Sequence, residues 1–386
     1  MKKLKVAFCL RDMKIGGVEN VFINTLENLL ARGDVEIFVL TYSRVRTPLY
    51  AKWFDAHPQV HTAALYPSRF LGTDLSHFFL LRLVQHFCRS IYRCVRRFLI
   101  NWDQWRDIDV FVDYYNFSFH REFKKVPMPK IVWWHSSLQQ FIAQNAAQYM
   151  PNYDLLVALT PGFVADFKKM YPQYANKITH IFNPVDIASV VARAENADSV
   201  KVSDYFVCVS RLYADKDINT LLRGFNKFWC DNARPDVKLV IIGDGSWADR
   251  YKAMANALDA APNIIFTGSL SNPFGYMKNA IANILSSYSE GLGMVLIEGA
   301  IVKTLNISSD CQNGPRDILL DGRGGMLYNP GDADGLAQCM TNAWRGGVDI
   351  DEMICAAYNG LARFDASVIS NQIYDLLKEY AKRNRN

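Results

Sequence analysis

Two carboxylates with seven residues between them, Glu290 and Glu298, stand in the stretch SEGLGMVLIEG. Glu290 precedes Gly291, Leu292 and Gly293, where a loop gives way to an apolar run. A carboxylate there accepts the free N–H donors of a helix start. Glu298 lies inside the apolar run, and an ionised carboxylate in that setting must be paired or hydrogen-bonded. A vicinal diol, such as a nucleotide ribose, supplies two donors; capping a neighbouring loop is the alternative. Arg211 and Lys216 follow a short apolar strand in SRLYADKD. Two cations just beyond a strand suit a diphosphate whose charge grows as the bond to it breaks. With Asp215 and Asp217 beside them they would also make a solvated ion pair. His135 closes IVWWHSS, and strand ends are where open α/β sheets place ligands. Such a histidine can donate to a sugar hydroxyl or a leaving oxygen, or pack as a core-edge residue. Gly16 and Gly17 separate the strand KVAFCL from a helix. Backbone can approach a ligand there, and helix-start N–H groups suit a diphosphate, although a plain tight turn has the same composition.

The elements that must position these residues alternate strand and helix. Apolar runs at 35–41, 107–115, 131–137, 154–160 and 178–186 continue the rhythm of the first strand. It restarts at 205–210, 238–246, 263–270 and 281–286, with helices expected at 217–229, 273–280, 333–344 and 365–381. This is the pattern of an α/β chain. A length of 386 residues exceeds a single core, so two domains are expected. Gly243, Gly245 and Gly268 fall at strand ends of the second half, where backbone can approach a flat base.

Residues 1–190 carry 23 Lys/Arg against 15 Asp/Glu, and residues 191–386 carry 20 against 23. The basic half is the one to meet an anionic surface. No zinc-finger spacing or RNA-binding motif accompanies it, so nucleic acid is not the expected partner. The eight cysteines form no CxxC pair, which fits reduced thiols better than a disulfide scaffold or a zinc site. KVAFCL breaks at Arg11-Asp12, too early for a signal peptide, and no apolar run is long enough to span a bilayer. The unusual element is 78–99, FFLLRLVQHFCRSIYRCVRRFL. Helical spacing gathers Arg82, His86, Arg89, Arg93, Arg96 and Arg97 on one side and Leu83, Val84, Phe87, Ile91, Val95 and Phe98 on the other. Two arrangements are open. The helix lies in an anionic membrane interface, apolar face down, with its arginines drawn to headgroups. Alternatively, its apolar face packs on its own domain and the arginines face water.

Glu290 and Glu298 resemble the E-x7-E signature of retaining glycosyltransferases with two facing Rossmann-like domains, the GT-B type, family 4-like. SRL…DKD, Asn183-Pro184, Gly16-Gly17 and GPRDIL fall where that family has related segments. One departure is that Lys303 and Leu305 stand where the family usually has Gly then Pro. The resemblance implies an α/β fold of two Rossmann-like domains around a cleft. Residues 1–190 would bind acceptor and 200–364 the nucleotide sugar, with 365–386 packing back on the first domain. It implies that Glu290 contacts donor-sugar hydroxyls, Glu298 holds the ribose, Arg211 and Lys216 grip the phosphates, and His135 serves the cleft. Gly16, Gly17, Gly243, Gly268, Gly291, Leu292 and Gly293 would line the donor site. The expected reaction is metal-independent hexosyl or N-acetylhexosaminyl transfer with retention, without a cofactor. The expected donor is UDP-linked. The expected acceptor is a saccharide or polyprenyl-diphosphate lipid for surface polysaccharide or lipopolysaccharide, met at the cytoplasmic face of the inner membrane. A nucleotide-sugar 2-epimerase, a hexose phosphorylase and a non-catalytic sugar-nucleotide binder are the rival readings.

Overall fold

A computed structural model describes residues 3–13, 16–66, 79–197 and 204–383, with only the backbone at 79–82 and 86. Arg82 and His86, the start of the helix at 78 and the far end of the expected domain boundary lie outside the described residues. Among these residues, two sheets form. The first comprises β1 (Leu4–Leu10), β2 (Val35–Thr41), β3 (His61–Ala64), β4 (Val110–Asp113), β5 (Lys130–Trp133), β6 (Leu155–Ala158) and β7 (Ile178–His180). The second comprises β8 (Tyr205–Val209), β9 (Lys238–Ile242), β10 (Ile264–Gly268), β11 (Ala282–Leu285), β12 (Asn306–Ser309) and β13 (Met326–Tyr328). The strand orders are β3-β2-β1-β4-β5-β6-β7 and β10-β9-β8-β11-β12-β13, with parallel pairing throughout. Both are open Rossmann-like sheets covered by helices on their two faces. That cover is why the central strands read as continuous apolar runs: Val6 to Cys9 and Val110 to Val112 are fully buried.

Several elements are absent from the sequence reading. β3 is a half-exposed edge of HTAA, with too few apolar positions to stand out. Helices Pro48–Ala56, Ile187–Glu195, Ala248–Asn256 and Ile350–Asn359 are short, and each buries only one to three side chains. The strand read at 107–115 is shorter, because Asp109 Oδ2 accepts the Lys5 N–H at 3.0 Å in place of a ladder bond.

The chain passes between the sheets at two adjacent points. Val185 N–H donates to the Phe364 carbonyl at 2.9 Å, and Ala366 N–H donates to the Val185 carbonyl at 3.1 Å. Helix Ala366–Arg383 then runs back over the first sheet, against helix Gly17–Ala31, β1 and β4. It buries Ile369, Ile373, Leu377 and Tyr380. Arg32 stacks on the Tyr374 ring with 3.7 Å to its centroid and donates to Asn371.

Helix Phe79–Leu99 has a single amphipathic orientation, and it reverses both sequence-based arrangements in one respect. The arginine side faces the protein. Arg97 Nε pairs with buried Glu122 at 3.3 Å, and the Arg93 guanidinium lies 5.5 Å from the centre of the Tyr42 ring. Glu122 also accepts from Tyr66 at 2.5 Å and Tyr42 at 3.1 Å. Leu83, Val84, Phe87, Ile91, Val95, Phe98 and Leu99 are the exposed side. The apolar face is therefore not packed on its own domain, and the inner arginines do not face headgroups. The physical reason is Glu122: a buried carboxylate needs charged or hydrogen-bonding partners, and the helix supplies one.

Candidate active site

In open parallel sheets the crevice for ligands opens where strand order reverses, beyond the carboxyl ends. In the first sheet that point lies between β1 and β4, and in the second between β8 and β11. The loops leaving these strands carry Gly16 and Gly17, Asn116, Arg211 and Lys216, and Glu290 to Gly293. His135 follows β5, one strand further along.

The two loops of the second unit are tied together. Lys216 Nζ contacts Glu290 Oε1 at 2.7 Å, and Ser287 Oγ donates to the same oxygen at 2.6 Å. Ser286 Oγ donates to the Lys216 carbonyl at 2.8 Å, and Tyr288 N–H to the Asp215 carbonyl at 2.9 Å. Lys216 and Glu290 are nearly buried, so their charges attract with little solvent between them. The spacing of the sequence does not reveal this pair, because each residue reads alone as a ligand contact. Arg211 is exposed, with its guanidinium 5.3 Å from the Tyr213 ring centre.

Helix Met294–Ile301 holds Glu298, and two buried asparagines fix that helix on the sheet. Asn283 Nδ2 donates to the Val295 carbonyl at 3.1 Å and to Asn306 Oδ1 at 2.8 Å. Asn306 Nδ2 donates to the Leu296 carbonyl at 3.0 Å. Glu298 faces a cavity of about 730 Å³ lined also by Gly17, Asn20, Tyr50 and Trp53 on one side and Arg193, Phe274 and Met294 on the other. Burial pushes its carboxyl up to about 7, against the opposing pull of Arg193. No described group donates a hydrogen bond to it. Arg193 donates to the Ser271 carbonyl at 2.6 Å and stacks over Phe274. Sequence reasoning missed Arg193, Ser287, Asn20 and Trp53. Arg193 lies in a polar stretch that read as a connection, and only its helical spacing to Val190 and Ala194 marks it as structured.

Across the crevice, His135 N–H donates to Asn116 Oδ1 at 2.8 Å. Its two ring nitrogens are buried without a well-aligned hydrogen-bond partner among the described residues, and burial, opposed by the Tyr114 backbone, lowers its imidazole to about 3. The ring is neutral near pH 7, so it is not a cationic acid there. The His135 carbonyl lies directly against Gly291, where any Cβ would overlap it. The 290–293 loop and the end of β5 thus touch through backbone, and glycine is the residue that allows it. Leu292 turns its side chain into the core, so only its backbone can meet a ligand.

Gly16 and Gly17 are divided in setting. Gly17 lines the cavity with Glu298, whereas a Cβ at Gly16 would lie 2.6 Å from Glu19 Oε2. Glu19 folds back over the start of its own helix, a position that an anion would otherwise take. Gly243 has φ of +142° and abuts the Ser210 carbonyl. Its role here is to let the β9 turn close on the β8 loop. Gly268, whose carbonyl accepts from Gly243 N–H at 2.9 Å, has no neighbour within 4 Å of a Cβ position and is open to approach. The structure therefore gathers Glu290, Lys216, Gly291 and His135 at one place and Gly17 and Glu298 at another, joined by helix Met294–Ile301.

Residues 194–359 match the family described as Glycosyl transferases group 1. The chain has the GT-B fold. The lipopolysaccharide 1,6-galactosyltransferase of Salmonella typhimurium is 33% identical to this chain over 166 residues, covering 42% of this chain and 44% of that one. The protein of the same name from Escherichia coli K12 is 28% identical over 255 residues, covering 64% and 67%. The match thus spans less than half of the first relative's length and about two thirds of the second's. The Anabaena protein HepE, solved in complex with UDP, superposes with a TM-score of 0.75 at 16% identity, over 97% of this chain and 100% of that one.

Proposed function

We propose that this protein transfers a hexose or N-acetylhexosamine from a UDP-linked donor, with retention, to a saccharide or lipid-linked acceptor in lipopolysaccharide or surface-polysaccharide synthesis. The observation that carries the proposal is Glu298: a carboxylate on a fixed helix, with no hydrogen-bond donor among the described residues, facing the cavity. A ribose diol supplies the two hydrogen bonds it lacks. One helical turn, about 5.4 Å, separates the level of Met294 from Glu298. The diphosphate then runs along this helix toward its start and toward Lys216, with Arg211 on the exposed side. Glu290, already held by Lys216 and Ser287, keeps its second oxygen for sugar hydroxyls. His135, on the acceptor side, hydrogen-bonds the transferred sugar as a neutral ring.

In this scheme the cations of Arg211 and Lys216 stabilise the charge that develops on the leaving diphosphate, which makes turnover independent of a divalent metal. Attack comes from the same face as departure, with a donor phosphate oxygen taking the acceptor proton. The proteins named above that act on lipopolysaccharide support the acceptor class, and the UDP complex of HepE supports the donor. Such an acceptor is embedded in the inner membrane, and the enzyme works from its cytoplasmic face.

The test is a panel of nucleotide sugars incubated with and without lipid-linked or lipopolysaccharide-core acceptor, reading product mass and anomeric configuration by NMR. An α-linked product from an α-linked UDP sugar, formed equally in chelator, is the expected result. An inverted product, a strict metal requirement, an isomerised donor without transfer, or binding without chemistry would each overturn it.

A further inference from the structure

The outward side of helix Phe79–Leu99 is a continuous apolar ridge. Phe87 is 67% exposed and Phe98 is 70% exposed, with Ile91 and Val95 between them and Val84 just before, in helical register. Side chains of this size are rarely left together in water without a partner surface. The helix contains no acidic residue. At its carboxyl end, Arg121, Lys124 and Lys125 stand exposed on the neighbouring segment, and the Lys125 ammonium lies 4.9 Å from the Phe98 ring centre. An apolar ridge beside a row of cations has the form of an element that lies in a bilayer interface, with rings among acyl chains and cations at anionic headgroups. No helix among the described residues is long and apolar enough to cross a membrane.

We propose that this ridge inserts into the anionic leaflet of a bilayer, and that insertion of Phe87 and Phe98, more than charge attraction, holds the protein there. The inner arginines lock the rotation of the helix through Glu122 and Tyr42. The ridge cannot roll inward, so it remains presented to the membrane. A second copy of this chain is the competing occupant, but its ridge has no acidic residue to meet Arg121, Lys124 and Lys125, whereas an anionic leaflet supplies the opposite charge. The inference rests on the membrane-borne acceptor only for its purpose; the docking stands on the helix alone.

Flotation with phosphatidylglycerol-containing vesicles, without donor or acceptor, tests it independently of catalysis. Wild type should float at low salt and in large part at high salt. Phe87→Ser with Phe98→Ser should lower partitioning on the order of tenfold per ring at both salt levels, with the melting temperature and UDP affinity unchanged. Lys124→Ser with Lys125→Ser should weaken flotation at low salt only. A polarity-sensitive dye on Cys88, which is exposed beside the ridge, should shift to the blue when vesicles are added. Failure to float at low salt, or flotation untouched by the phenylalanine changes, would overturn the proposal. So would a dimer in solution that the same double change dissolves.

Discussion

Replacing Glu298 by glutamine separates burial of the carboxyl from every other titration in the protein. Its folded value is about 7 against an ordinary value of 4.5, chiefly through burial. The folded state therefore holds this proton more tightly than the unfolded chain. That contribution to stability is fully present below about 4.5 and is lost as pH rises through about 7. At about 1.4 kcal/mol per pH unit, the span from 4.5 to about 7 gives an upper bound of about 3.5 kcal/mol. Water in the cavity reduces it. Glutamine is neutral at every pH and escapes the loss, so Glu298→Gln should gain about 1–3 kcal/mol relative to wild type between about pH 4.5 and about pH 8. Urea unfolding of both proteins across that range measures the difference, and all shared titrations, including that of His135, cancel. The same logic reaches the ligand. If a ribose diol donates to the ionised form, binding of a UDP-sugar, whose diphosphate has no group that titrates near neutrality, should release a fraction of a proton from wild type near pH 6.5 and none from the variant. Calorimetry in two buffers of different ionisation enthalpy reads that directly. Parallel stability curves for the two proteins would refute the burial argument, and proton release that persists in the variant would refute the assignment of ribose to Glu298.

Lys216→Ala and Glu290→Ala should each lower kcat/KM on the order of 100-fold, and the double variant by much less than the product, because a charged hydrogen bond of 2.7 Å joins them; additive losses would show that the pair does not act as a unit. Gly291→Ala forces a methyl group against the His135 carbonyl, so transfer should fall at least about tenfold while UDP affinity changes little; normal turnover would mean that this backbone contact is not kept during catalysis.

The sequence made some of this site visible and hid the rest for identifiable reasons. The Glu290 loop and the Glu298 helix were readable because their residue types and periodicity agree with each other. Two sheets of alternating strand and helix were implied by the α/β rhythm, but not the order of their strands. The pairing of Lys216 with Glu290 was not readable, since it joins loops 74 residues apart that meet only when β8 and β11 become neighbours. The helix at 79–99 shows a different limit. Its periodicity defines two faces but not which one turns inward, and the deciding residue, Glu122, belongs to another segment. Glu19 stands in the first turn of its helix, yet the consequence that it occupies the anion position beside Gly16 depends on a rotamer, which composition does not specify.

The return of helix Ala366–Arg383 to the first sheet bears on how the protein is made. The first unit is not contiguous in the chain, because one of its covering helices is encoded after the whole of the second. Until that segment has been synthesised, the surface that will receive Ile369, Ile373 and Leu377 stays uncovered on helix Gly17–Ala31 and the adjoining strands. A nascent first unit therefore carries an apolar flank while the second unit folds, the condition under which chains aggregate or recruit chaperones. Supplying the tail helix as a separate peptide to a chain ending before Ala366 would show how far the first unit depends on its last-made part.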